Sequence, residues 1–347
     1  MPIEINLPIS FDALAIDEAG APLQKRRKTI SSLNDDEVLV RIGHASINKM
    51  DPGLARRNLF GLPTPYVLGF DFSGEVVRRG DGVRVDVGTQ IFGGTATGGC
   101  FAEYVVAKQR HVLPRGPVPS AEASTYGIAY LTAYDSVMIT GKLDQHAGKW
   151  IYVAGAAGGV GHFAAQMARL SGLKVIGTAG KPASLDLLGT LGLELVVDYR
   201  TQDVVGEIMR ITGGKGVDLV YDSTYSQASY EQSTAVVAPG GDYIRLGTPQ
   251  QLAMQGATDM TAAVEARGAR MLVANLGQYG HAPVDQAMRD ALDLGMRRAV
   301  SWYAEGRLRP MITERVPFDA GALQRAFDAF LKGKNNVVKV VVEVRPT

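Results

Sequence analysis

The sequence predicts an α/β protein in two parts: a strand-rich N-terminal region and a doubly wound parallel sheet. Three observations carry this. Up to about residue 130 the chain holds short strands punctuated by glycines. From Lys149 onward strands alternate with helices. One strand-to-helix turn there is the glycine-rich segment 154–161 (AGAAGGVG). A chain of 347 residues accommodates two domains and a core that needs no covalent staples.

In order, residues 38–42 (VLVRI) alternate after the turn-like Asn34-Asp35-Asp36, and 74–77 (GEVV) and 101–107 (FAEYVVA) are further short strands. Glycines at 69, 74, 80, 82, 88, 93, 94, 98 and 99 mark the turns of a small barrel or sandwich. Residues 120–140 have helical character. The apolar run 150–154 (WIYVA) precedes Val160, Phe163, Ala164, Met167 and Ala168, whose spacing puts them on one helix face. Residues 174–178 (KVIGT) form the next strand, 185–191 a helix, and 195–197, 217–221 and 243–246 further strands. This alternation implies a parallel sheet covered on both faces. Residues 337–344 (VVKVVVEV) form a strand with no helix after it, which suits a return to the N-terminal β region.

Composition narrows the function classes. Hydrophobic residues at 46% and charged residues at 20% exclude a disordered or fibrous chain. Lys plus Arg number 36 and Asp plus Glu 35, so no basic surplus points to nucleic acid as a partner. A single cysteine excludes a disulfide framework and every site built on two or four cysteines. It reads as a small buried thiol, Cys100. His44, His111, His146, His162 and His281 show no metal-ligand spacing, and no serine sits in a nucleophile elbow. No apolar stretch approaches the ~18 residues of a membrane span. Residues 1–10 lack a leader pattern, so the expectation is a soluble cytoplasmic protein with no membrane partner.

The glycine loop follows a strand and opens an amphipathic helix. Gly158 lets the backbone approach a pyrophosphate, Gly161 lets helix pack on strand, and the helix N-terminus favours phosphate charge. Ala157, Gly158, Gly159 and Val160 are therefore candidate cofactor-binding residues. Ala156 stands where the dinucleotide pattern has its first glycine, and a tight turn with no ligand is the plainer alternative. NAD-binding versions carry an acid about 20 residues on, at the end of the second strand. Here that strand ends Thr178-Ala179-Gly180-Lys181. Without an acid, and with Lys181 able to pair with a 2′-phosphate, NADPH is favoured. A solvated loop lysine is the alternative for Lys181.

Several motifs in order resemble the medium-chain dehydrogenase/reductase superfamily, in its zinc-free quinone oxidoreductase branch. They are Asn48-Lys49-Met50-Asp51; residues 65–74 (PYVLGFDFSG); Gly99-Cys100-Phe101-Ala102-Glu103-Tyr104; Leu131-Thr132-Ala133-Tyr134; the glycine loop; Val197-Asp198-Tyr199; and residues 213–218 (GGKGVD). The resemblance implies a GroES-like β domain plus a Rossmann domain. The divisions are 1–133 for the GroES-like catalytic domain, 134–309 for NADP(H) binding, and 310–347 for the C-terminal return. It also implies homodimers. Alcohol dehydrogenases of the superfamily hold zinc at positions that match Asn48, Phe70 and Ile128, none of which can take that role. Without that Lewis acid, an activated acceptor such as a quinone or an α,β-unsaturated carbonyl (an enone) is the expected substrate.

The resemblance also suggests individual roles. Tyr199 matches a tyrosine that contacts the 2′-phosphate, although a strand-end tyrosine is the alternative. Ser184 falls where many relatives carry a phosphate-pairing lysine, a departure that leaves the charge to Lys181, with Arg200 a weaker candidate. Thr132 matches a threonine near the nicotinamide, unless it bonds only its own helix backbone. Gly247 and Thr248 follow a strand at the carboxyl edge, where open sheets bind ligands. Lys339 matches a cofactor-approaching lysine, with a solvated strand lysine as the alternative. Asn48 is the catalytic candidate, a donor to a substrate oxygen or to the cofactor ribose. Asp51 before Pro52 reads as a helix N-cap, and Tyr66 as core. Enoyl-thioester reduction and a non-enzymatic NADPH- or RNA-binding module are the alternative functions.

Overall fold

The computed structural model describes residues 5–247, 256–276, 286–332 and 338–345. Thr248, His281 and Val337 lie outside them. The chain divides into two compact units, Met1–Ala129 with Met296–Thr347, and Tyr130–Gly295.

The first unit opens with β1 (Ile9–Ile16), β2 (Gln24–Ile30), β3 (Glu37–Ile47) and helix α1 (Met50–Arg57). It continues with β4 (Tyr66–Val67), β5 (Asp71–Arg79), β6 (Gln90–Gly94), β7 (Tyr104–Lys108) and β8 (Val112–Pro114). β1 pairs antiparallel with β2 and β4 in a three-stranded sheet. β3 is central to a larger sheet and is buried on both faces. Val38, Val40 and Ile42 enter the main core, while Leu39 meets Phe11, Val77 and Tyr104. That double burial explains why Val38, Leu39 and Val40 stand in a row, with apolar side chains on both faces of the strand.

The second unit holds β9 (Trp150–Ala154), α2 (Gly161–Leu170), β10 (Lys174–Ala179), α3 (Pro182–Gly189), β11 (Leu195–Asp198) and α4 (Val204–Ile211). Then follow β12 (Val217–Asp222), α5 (Gln227–Val236), β13 (Val237–Leu246) and β14 (Arg270–Ala274). The six strands are all parallel, in the order β11-β10-β9-β12-β13-β14. The chain reverses direction across the sheet at β9, so the carboxyl ends of β9 and β12 form the switch point where such sheets bind ligands. One face packs Tyr152, Ile176, Val197 and Tyr243 under Val204, Ile208 and Val236 of α4 and α5.

The remaining strands, β15 (Ile312–Pro317) and β16 (Lys339–Glu343), complete the larger sheet of the first unit. Its order is β15-β16-β3-β5-β6-β8, with β7 also on β3. β16 runs antiparallel to β3, with Val340 opposite Ile47. This pairing returns the end of the chain to its beginning and sets Lys339 beside the end of β3.

Local differences from the sequence expectations have physical causes. The helix expected at 185–191 begins at Pro182, because Lys181 is extended and a proline at the first position presets the helical φ. Residues 120–140 are helical but tightly irregular, with wide π-type turns at Tyr126–Tyr130 and Tyr134–Thr140. Asp51 is not an N-cap: α1 starts one residue earlier, and the Asp51 carboxylate reaches back to the chain before it.

Candidate active site

In the first unit the end of β3, the start of α1, the start of β5 and the start of β16 bring four polar side chains into the core. Asn48 is 8% exposed, Lys339 1%, and Asp51 and Asp71 are fully buried. Lys339 Nζ donates to Asn48 Oδ1 at 2.9 Å and to the Ile47 carbonyl at 3.1 Å, and lies 3.8 Å from Asp71 Oδ2. Asn48 Nδ2 donates to Asp71 Oδ1 at 3.2 Å, and Ser46 Oγ donates to the same oxygen at 2.8 Å. Asp51 accepts the Asn48 N–H at 2.7 Å and the Gly69 N–H at 3.0 Å, tying α1 to the loop that leads into β5.

Burial governs the ionisation here. It pushes the Asp51 carboxyl up to about 7, against its two amide hydrogen bonds. It also raises Asp71, against the attraction of Lys339 and the bonds from Ser46 and Asn48. It lowers Lys339, against Asp71 and Asp51. Phe70 is core, with the Phe60 ring edge-on at 6.1 Å, and Ile128 packs on the same core. Tyr66 is also core, its hydroxyl donating to the Ala55 carbonyl. Cys100 is buried, and burial pushes its thiol up, which disfavours the thiolate.

In the second unit the glycine loop joins β9 to α2. The residue before α2, Val160, makes no side-chain cap hydrogen bond, while the His162 N–H donates to the Gly158 carbonyl and the Phe163 and Ala164 N–H groups to that of Val160. Ala157, Gly158, Gly159 and Val160 are partly exposed along this turn. A Cβ on Gly161 would stand 2.1 Å from the Gly155 carbonyl oxygen, so only glycine lets the helix start this close to the strand. These are the features a pyrophosphate needs, and the loop fits one.

At the end of β10, the Tyr199 ring lies against Gly180: a Cβ there would be 2.3 Å from Tyr199 Cζ. The Tyr199 N–H donates to the Ala179 carbonyl at 3.1 Å, and Arg200 Nη1 donates to the Gly180 carbonyl at 3.3 Å. Lys181 and Ser184 follow, half-buried at the start of α3. Asp198, the nearby acid, is occupied: it accepts the Arg200 N–H and the Thr201 hydroxyl. Gly247 follows β13 with φ +92 and donates its N–H to the Ala274 carbonyl. Thr132 is buried in its helical segment, where its carbonyl accepts the Ser136 hydroxyl.

Sequence reasoning missed several of these residues. Asp71 lay inside the 65–74 motif without a role. Gly180 had only its place before Lys181 as a signal, and Ser46 had none. Asp222, buried at the carboxyl end of β12, accepts the Thr224 N–H and the hydroxyls of Thr224, Ser229 and Ser233, at 2.7–2.9 Å. It thereby shapes the turn beside Gly155. Among the described residues no group of three or more His, Cys, Asp and Glu side chains is placed to hold a metal ion.

Residues 34–119 match the alcohol dehydrogenase GroES-like domain, and residues 159–294 match the zinc-binding dehydrogenase domain. The chain is a medium-chain dehydrogenase/reductase of the quinone oxidoreductase-like branch. That superfamily comprises dinucleotide-binding oxidoreductases. The human quinone oxidoreductase is 25% identical over 337 residues, covering 95% of this chain and 97% of that protein. The trans-enoyl reductase pgmF of Aspergillus terreus is 27% identical over 362 aligned positions, covering 99% of this chain and 94% of that one. A phenolphthiocerol/phthiocerol polyketide synthase of Mycobacterium tuberculosis is 34% identical over 256 residues, 71% of this chain. The chain spans only 11% of that synthase's length. No helix among the described residues is long and apolar enough to cross a membrane.

Proposed function

We propose that this medium-chain reductase uses NADPH to deliver hydride to a quinone or to the β-carbon of an α,β-unsaturated carbonyl. The unit Tyr130–Gly295 is read as the NADP(H)-binding domain and the GroES-like unit as the one that meets substrate. The carrying observation is the end of β10, where Gly180 seats the Tyr199 ring, Lys181 follows, and no acid stands in 178–181 to repel a 2′-phosphate. The glycine loop from Ala157 to Val160 and the α2 N-terminus would hold the pyrophosphate. Thr132, Gly247 and Thr248 are assigned to the rest of the dinucleotide.

When bound, NADPH supplies the hydride. Asn48 offers a neutral carboxamide, held by Lys339 and Asp71, with one amide proton that makes no hydrogen bond among the described residues and is assigned to a ligand oxygen. Hydride addition to a conjugated acceptor sends negative charge to its oxygen, where such a donor stabilises it. A proton from water or a second donor completes the product. Enoyl-thioester reduction is the second reading, favoured by the full-length likeness to the trans-enoyl reductase. Both reactions add hydride to a conjugated carbon and differ in the carrier of the carbonyl. The chain is read as a homodimer, for which light scattering should give the mass of two chains.

Stopped-flow consumption of NADPH and of NADH, against a quinone, an enone and an enoyl-CoA, tests the reading. Turnover with NADPH and a quinone or enone is expected. Consumption with none of the three acceptors sinks the activity, turnover only with the thioester selects the second reading, and equal use of NADH refutes the cofactor assignment.

A further inference from the structure

We infer that Lys339 and Asp71 are positioning residues, which together fix which way round the Asn48 carboxamide lies and so which of its atoms meets the ligand. The inference rests on the reading of Asn48 as the ligand-facing group. Lys339 can only donate hydrogen bonds and an ionised Asp71 can only accept them. The amide oxygen therefore goes to Lys339 Nζ, at 2.9 Å, and the amide nitrogen to Asp71 Oδ1, at 3.2 Å. Turning the carboxamide over would set an NH2 against an ammonium and an oxygen against a carboxylate. An isolated asparagine has no such preference.

The rest of the cluster serves the same arrangement. Ser46 Oγ donates to Asp71 Oδ1 from the other side, and the Ile47 carbonyl takes a second Lys339 proton. The Asp51 carboxylate holds the Asn48 backbone N–H, so main chain and side chain of Asn48 are both anchored. The Lys339 ammonium faces Asn48 Oδ1, the Ile47 carbonyl and Asp71, and this geometry assigns it to Asn48 and not to the cofactor. Opposite charges at 1% and 0% exposure also neutralise each other, so the ligand meets an uncharged donor.

The test is a double-mutant cycle on the full chain. Lys339→Met should lower kcat about 10-fold or more while the NADPH Kd stays unchanged, and Lys339→Arg should recover part of the loss. In an Asn48→Ala background, Lys339→Met should add no further loss. Because Lys339→Met alone leaves Asp71 buried without its partner, Lys339→Met/Asp71→Leu is made as well. It removes both charges and should fold, with the same loss of kcat. Additive losses, or a weaker NADPH Kd in Lys339→Met, overturn the inference. An activity-independent arm reads the side-chain amide signals of asparagine-labelled protein, with the Asn48 pair identified by its absence in Asn48→Ala. Lys339→Met/Asp71→Leu should shift or average that pair, and an unchanged pair overturns the inference. If wild type turns over no acceptor, the function falls and this arm still decides the positioning.

Discussion

Four glycines, each replaced by alanine, separate what the cofactor loop needs for folding from what it needs for binding. At Gly161 the added methyl would stand 2.1 Å from the Gly155 oxygen and 3.0 Å from Ala156 Cα, both main-chain atoms. Strand end and helix start must part by about 1 Å, a clash between main-chain atoms that falls in the upper part of the overpacking range, about 2–3 kcal/mol, against which better helix propensity returns ~1. The net loss of about 1–2 kcal/mol lowers Tm by roughly 2–8 °C in a domain of this size. It also moves the helix terminus off the phosphate. At Gly158 the methyl would lie 3.1 Å from the same oxygen, which the turn accommodates with a small shift. Gly158→Ala should therefore keep Tm within about 2 °C, yet weaken NADPH binding about tenfold or more because the backbone no longer approaches the pyrophosphate. At Gly180 the clash is with the half-exposed Tyr199 ring, which can swing out. Stability should hold while the preference for NADPH over NADH falls. Gly189, the last residue of α3, has no atom within 4 Å of its added methyl, and Gly189→Ala should gain up to ~1 kcal/mol. Thermal unfolding and titration of cofactor fluorescence read all four. Gly161→Ala with wild-type Tm and NADPH affinity would refute the reasoning, as would Gly158→Ala with unchanged affinity.

Lys181→Ala should raise KM for NADPH by about 10–100-fold, the loss of one charge-assisted bond of about 1.5–3 kcal/mol, and leave NADH unaffected; an equal rise for both would make Lys181 structural. The Asp51 carboxyl titrates near 3.8 when unfolded and about 7 when folded, so the folded chain holds this proton more tightly. Its contribution to stability is complete below pH 3.8 and lost as pH rises through 7. Between those limits Asp51→Asn should flatten the decline of Tm with pH, and an unchanged slope counts against the assignment. Arg245 is 2% exposed, its Nε has no hydrogen-bond partner among the described residues, and its ion-pair partner Asp259 is 39% exposed. Asp259 can return to water, so Arg245→Met should change the unfolding free energy by no more than about 1 kcal/mol in urea. A loss of several would show that the pair holds the β13 end in place.

The α/β class, the parallel sheet and the glycine loop were legible because their signals are local. A strand's apolar run, a helix's spacing and a turn's glycines all act within a few residues of chain, so WIYVA, AGAAGGVG and the helix after them declare themselves in order. The missing acid after β10 was legible for the same reason. Only the fold could bring the far-apart residues together. Lys339 meets Asn48 across 291 positions of sequence, because β16 pairs antiparallel with β3 and its register puts Val340 opposite Ile47. A shift of one residue in that register would turn Lys339 to the other face of the sheet. Burial then made Asp71, unremarked within its motif, the acceptor that orients Asn48. The seating of Tyr199 on Gly180 likewise needed β10 and β11 side by side. Sequence determined which residues can make strands, helices and a phosphate loop, since those preferences belong to single residues and their neighbours. Strand pairing decided which polar groups share one buried space, and therefore which partners hold the oxygen and the nitrogen of the Asn48 carboxamide.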